Sequence, residues 1–63
     1  MAFVAVDLDK SEWIYEGKPT RQKYKDVWRC EGELDSMIEL PHGSIAKLIG
    51  RELTWSDEPV ELE

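Results

Sequence analysis

Apolar and polar positions follow a strand-like rhythm from the start of the chain to Leu40, switch to a helical spacing, and then break into short pieces. Phe3-Val4-Ala5-Val6-Asp7-Leu8 is rich in β-branched residues and closed by Asp9-Lys10-Ser11, which predicts a first strand and a turn. Glu12 to Glu16 predicts a second strand. Gly17-Lys18-Pro19-Thr20 holds a glycine, which accepts a positive φ, and a proline, whose φ is fixed, so a loop is expected there. Aromatic and β-branched residues return from Tyr24 to Cys30 as a third strand. Met37 to Leu40 alternates again as a fourth, with Ile38 and Leu40 on one face. The polar stretch between these two, Glu31 to Ser36, contains Gly32 and predicts a hairpin joining them.

Pro41 has no N–H to give to a ladder and ends the sheet. Beyond it the period changes: Ile45, Leu48 and Ile49 fall at i, i+3 and i+4, with Ser44 placed to cap a helix and Gly50 to end it. A helix of one or two turns cannot hold itself in water, because nucleation costs more than so few hydrogen bonds return. It must dock on the sheet, which predicts burial of Ile45, Leu48 and Ile49. Leu53-Thr54-Trp55 predicts a brief strand, Ser56 to Pro59 a turn, and Val60-Glu61-Leu62 a segment that pairs once more or frays. The expected architecture is one α+β domain over residues 1–63: a small antiparallel sheet of four to five short strands with one short helix packed across it. Such an open sheet has edges, and Phe3 to Leu8 is the expected edge through which copies of the chain would associate.

With 63 residues, the chain buries only about 60% of the surface its unfolded form exposes, so its core is small. Cys30 is the only cysteine, which rules out an intrachain disulfide and suits a reducing compartment. No apolar run approaches the ~18–20 residues of a membrane span, so no membrane contact is expected. The first residues lack a basic region, and Asp7 and Asp9 interrupt the apolar stretch, so no signal peptide is expected and the default location is the cytoplasm. Fourteen acids against eight bases leave a net charge of −6, which argues against general binding to nucleic acid or anionic lipid. The charge is uneven. Lys18, Arg21, Lys23, Lys25 and Arg29 share twelve residues with one acid, Asp26, a local +4 that leaves −10 elsewhere.

Candidate chemistries are thin. One Cys and one His cannot build a structural zinc site, and no other cofactor is expected. Asp7-Leu8-Asp9 and Glu31-Gly32-Glu33-Leu34-Asp35 are only fragments of a calcium loop. His42 and Ser44, with Asp35 upstream, invite comparison with a catalytic triad, but both sit where a helix start needs them, and no enzyme is expected. The four glycines are too scattered for a phosphate-binding loop, though backbone N–H groups at Gly43-Ser44-Ile45 suit an anion. Trp13, Trp28 and Trp55 are expected to pack in the core. So small a domain cannot enclose three indoles, so at least one should be partly exposed and serve as a partner's anchor. The candidate binding surface comprises Lys18, Arg21, Lys23, Tyr24, Lys25, Trp28, Arg29 and Trp55, where bases alternate with aromatics in the manner used to track single strands.

"LPHGSIAKLIGRELTWSDEPVEL", Leu40 to Leu62, resembles the ending of small proteins encoded by bacteriophages and prophages, and covers about the last third of the chain. The resemblance implies a phage or prophage origin, a bacterial cytoplasm and a non-enzymatic accessory role. The leading reading is thus a protein-binding module whose partner the sequence does not name. Two alternatives stand beside it: an acidic mimic of nucleic acid that blocks a host DNA- or RNA-binding protein, and a single-strand binder acting through residues 18–29.

Overall fold

The computed structural model describes residues 2–29 and 37–62. Its elements are β1 (Ala2–Val6), β2 (Glu12–Tyr15), β3 (Thr20–Gln22), β4 (Val27–Arg29), β5 (Met37–Leu40), α1 (Ser44–Ile49) and β6 (Val60–Leu62). Four strands form an antiparallel sheet in the order β5-β2-β1-β6, and β3 and β4 form a separate two-stranded hairpin. This is a small α+β fold, as the hydrophobic pattern predicts.

Alternation along the strands divides the interior into two layers. Val4 and Val6 from β1, with Ile14, Leu40, Val60 and Leu62, meet Ile45 and Ile49 of α1 and the buried Leu53. On the opposite face Ala5 and Tyr15 meet Trp28 of β4, with Trp13, Met37 and Trp55 around them. The sheet is therefore covered by the helix on one side and by the hairpin on the other.

That double cover explains the run Phe3-Val4-Ala5-Val6 and corrects one expectation. β1 is not an edge; it lies between β2 and β6, with Val4 paired to Ile14 on one side and Val60 on the other. A strand buried on both faces has no polar side to show, so its apolar residues run on without alternation. The 60–62 segment pairs rather than frays.

The predicted hairpin between Tyr24–Cys30 and Met37–Leu40 does not form. β4 pairs with β3, in register Gln22 to Val27, and β5 pairs with β2, in register Ile38 to Ile14. The turn that makes the difference is Lys23-Tyr24-Lys25-Asp26, closed by the Lys25 N–H donating to the Gln22 carbonyl at 3.1 Å, with Asp26 at φ 56°. It contains no glycine or proline, so nothing in the local pattern marks it, and the strand expected from Tyr24 starts only at Val27. Cys30 and Glu31 to Ser36, including the calcium-like fragment and Asp35, lie outside the described residues.

The helix starts differently from its prediction. Gly43, at φ 93°, is the cap residue and Ser44 the first helical one, its hydroxyl donating to the Pro41 carbonyl at 2.7 Å. The free N–H groups are taken by a side chain from the sheet: Glu12 Oε2 accepts from Gly43 at 2.7 Å and Glu12 Oε1 from Ile45 at 2.8 Å. Gly50, at φ 80°, ends the helix as expected, its N–H donating to the Ala46 carbonyl at 2.9 Å. Ile45 is buried and Ile49 packs beside it, but Leu48 is 54% exposed. With only six residues, one i, i+4 ridge reaches the sheet, and Leu48 falls on its flank. Leu53 fills the core in its place. Residues 53–55 form no strand, because they carry the chain around the sheet: Leu53 enters the helix-side layer and Trp55 the hairpin-side layer.

Candidate functional site

The basic segment folds into the β3–β4 hairpin, and the hairpin splits it. Arg21 is half-buried, its guanidinium 4.7 Å from the centre of the Trp28 ring and 5.1 Å from that of Trp55. The two indoles meet edge to face at 5.8 Å. Arg21 Nη2 donates to the Trp55 carbonyl at 2.9 Å and lies 3.7 Å from Glu58 Oε2, so this cation binds the 55–58 loop to the hairpin. Its Nε is the one buried side-chain nitrogen or oxygen without a hydrogen-bond partner among the described residues.

Trp28 is more deeply held. Only 2% exposed, it donates its indole N–H to the Val6 carbonyl and its backbone N–H to Asp7 Oδ1, both at 2.9 Å, while its carbonyl accepts from the Tyr15 hydroxyl at 3.2 Å. Arg29 is exposed; its Nη1 donates to the Trp28 carbonyl at 3.0 Å and sits 3.9 Å from Met37 Sδ. Because Thr20 pairs with Arg29 and Gln22 with Val27, Arg29 lies at the end of the hairpin away from its turn, and Lys18 precedes that same end. Lys23, Tyr24 and Lys25 occupy the turn itself.

Tyr24 is 77% exposed, and Lys25 Nζ lies 5.4 Å from its ring. The turn that carries it is tied down on its inner side, where the Leu8 N–H donates to the Asp26 carbonyl at 3.2 Å. Leu8 is itself exposed and lines a shallow notch with Lys25, Asp26 and Val27. The tip of the hairpin thus presents one aromatic ring, two cations and an aliphatic neighbour on a backbone fixed from below. Trp13 and Trp55 are each half-buried, and Trp13 spends its indole N–H on Ser11 Oγ at 3.1 Å.

A second concavity, a cleft of about 500 Å³, opens between the end of β1, the start of α1 and residues 52–56. Asp7 and Glu12 line it, but both serve the fold: Glu12 caps α1, and Asp7 receives the Trp28 N–H. His42 Nδ1 stands 3.5 Å from Glu12 Oε2, and the Ser44 hydroxyl turns to Pro41. The geometry therefore ties His42 and Ser44 to different partners and does not align them as a nucleophile and its base. The anion suited to Gly43-Ser44-Ile45 is supplied by the chain's own Glu12. Among the described residues no three His, Cys, Asp or Glu side chains gather into a metal site.

Glu12 and Asp7 fall within predicted strands, but their roles as acceptors for the helix start and for Trp28 are not announced by the sequence pattern. Each is an acid in phase with inward-facing neighbours, Glu12 with Ile14 and Asp7 with Ala5, and that misplacement is their signal. Burial pushes the Asp7 carboxyl above its ordinary value, opposed by the Trp28 N–H and assisted by Asp9. In Asp9 the Ser11 hydroxyl and N–H hold the carboxyl below its ordinary value. A raised pKa means that the folded state binds the proton more readily, so ionised Asp7 weakens the fold above that pKa and the loss disappears as pH falls below the unfolded value. Asp7→Asn keeps the acceptor for Trp28 and removes the charge. It is expected to be more stable than the native protein near neutrality, with the advantage shrinking in mild acid, as urea midpoints at the two pH values will show. Differences taken against the native protein cancel the opposite contribution of Asp9. An advantage that grows on acidification would exclude this account.

In comparison with known proteins, no family model matches this chain, and neither a curated protein nor a solved structure does.

Proposed function

We propose that this chain is a small non-enzymatic protein-binding module that grips an acidic partner surface with the tip of the β3–β4 hairpin. The exposure of Tyr24 on a tethered turn carries this reading. Tyrosine loses little rotamer freedom on binding and offers both a large apolar face and a hydroxyl, which is why it recurs as an interface anchor. Lys23 and Lys25 on either side steer the tip toward carboxylates, and the acid excess elsewhere on the chain repels the same surface, so one orientation is selected. Arg21, Trp28 and Trp55 support the hairpin from behind. The partner is proposed to be a protein of a bacterial cytoplasm, in keeping with the phage or prophage origin that the resemblance of Leu40 to Leu62 implies.

Quantitative retention of bacterial proteins by the immobilised chain, compared with Tyr24→Ala, tests the proposal. The expected result is a protein retained after nuclease treatment, weakened about tenfold or more by Tyr24→Ala at an unchanged melting temperature, and weakened by salt. Retention indifferent to Tyr24→Ala would reject the hairpin tip. Measurable affinity for single-stranded DNA or RNA at physiological salt, lost with Tyr24→Ala, would instead assign the tip to base stacking and replace the protein partner.

A further inference from the structure

The sheet order leaves two outer strands, β5 and β6, and they are protected unequally. β6 has three residues, with Pro59 immediately before it and Glu61 at its centre, features that discourage pairing with another chain. β5, Met37-Ile38-Glu39-Leu40, also carries a glutamate and is followed by a proline, Pro41, but it is one residue longer, its proline lies at its far end, and among the described residues it pairs only with β2. Its Ile38 shares the helix-bearing face with Ile14 yet is 67% exposed, beyond the cover of α1.

An antiparallel strand meets its own copy about a two-fold axis perpendicular to the sheet, which keeps residues of one face opposite residues of the same face. Two short registers satisfy this for β5. Centring on Glu39 sets two carboxylates directly against each other, which is unfavourable. Centring on Ile38 sets Ile38 against Ile38 and Met37 against Glu39. On the hairpin-bearing face Met37 already touches Arg29, whose Nη1 lies 3.9 Å from its sulfur. Glu39 of the second copy, arriving opposite Met37, therefore comes beside a guanidinium, and the two-fold repeats the pairing.

We infer that two copies of this chain join through β5 into a closed dimer, Ile38 against Ile38, with each Arg29 paired to Glu39 of the other copy. The four-stranded sheet becomes eight-stranded, and the contact is used up in the dimer, so it does not propagate into a fibre. Tyr24 sits at the end of the hairpin away from Arg29, so both hairpin tips remain open for a bivalent grip. The paired strand is short, which sets the dissociation constant on the order of 100 μM.

Sedimentation of the purified chain over a range that brackets this concentration is the test. The native protein should pass from monomer to dimer. Ile38→Lys, Glu39→Arg and Arg29→Glu should each weaken association about tenfold or more, at unchanged circular dichroism. The double variant Arg29→Glu with Glu39→Arg should restore it, since the pairs are then reversed but complementary. Tyr24→Ala should dimerise normally, which keeps this result independent of the partner-binding reading. A monomer throughout, or a dimer indifferent to Ile38→Lys, would overturn the proposal. Failure of the double variant to recover would overturn the register.

Discussion

Glu12→Ala should leave the domain largely unfolded at room temperature. The Glu12 carboxylate accepts from the backbone N–H groups of Gly43 and Ile45, at 2.7 and 2.8 Å, and the second of these bonds is fully buried. Helix starts leave such N–H groups without intrahelical partners, and a buried donor deprived of its acceptor costs about 1–3 kcal/mol. Two of them together cost about 2–6 kcal/mol, comparable with the ~3–5 kcal/mol that a single core of this size provides. Glu12→Gln should lie between, because the amide retains one acceptor oxygen and turns an NH2 toward the other donor. Ser44→Ala should cost far less, since the Ser44 hydroxyl caps nothing and bonds only to Pro41 at an exposed site. Urea denaturation followed by circular dichroism ranks the three. A Glu12→Ala midpoint close to the native one, or a Ser44→Ala loss as large as that of Glu12→Ala, would show that the helix start is held some other way.

Trp28→Ala is expected to be as damaging, by a different route. The indole fills the layer between the sheet and the hairpin, packs against Trp55 and carries the Arg21 guanidinium on its face. Truncating a buried Trp costs about 3–5 kcal/mol in lost transfer energy and residual cavity. It also strips the Val6 carbonyl of its indole donor. Trp28→Phe should recover most of the packing but not that hydrogen bond, leaving a loss of about 1–2 kcal/mol. Thermal unfolding of the two variants separates the contributions. If Trp28→Phe proves as unstable as Trp28→Ala, the hydrogen bond rather than the ring holds the hairpin in place; if both match the native protein, the hairpin does not depend on Trp28 at all.

Both predictions concern residues whose roles lie far from them in the chain, and this separates what was legible from what was not. The alternation over Glu12–Tyr15 and Met37–Leu40 and the turn at Asp9-Lys10-Ser11 are local statements. So are the stop at Pro41 and the termination at Gly50. Each depends on side chains a few residues apart or on the φ of one residue, so the sequence by itself determined a small antiparallel sheet with one docked helix. Of the candidate surface, Tyr24 with Lys23 and Lys25 was legible as aromatic among bases, and the structure gathers these three at one tip.

Only the tertiary structure decided which strands pair. Short strands with similar alternation are interchangeable as local patterns, and the glycine-free turn at Lys23 to Asp26 gave β4 to β3 and left β5 for β2. It also decided that Arg21 and Trp28 face inward, because burial depends on what covers a face and not on the residues within it. The cap on α1 makes the point most sharply. Ser44 stands where a local cap belongs, yet the acceptor comes from Glu12, thirty-one residues before Gly43. A backbone N–H takes the best-placed oxygen whatever its distance along the chain, and placement is settled only when the sheet brings β2 beneath the helix.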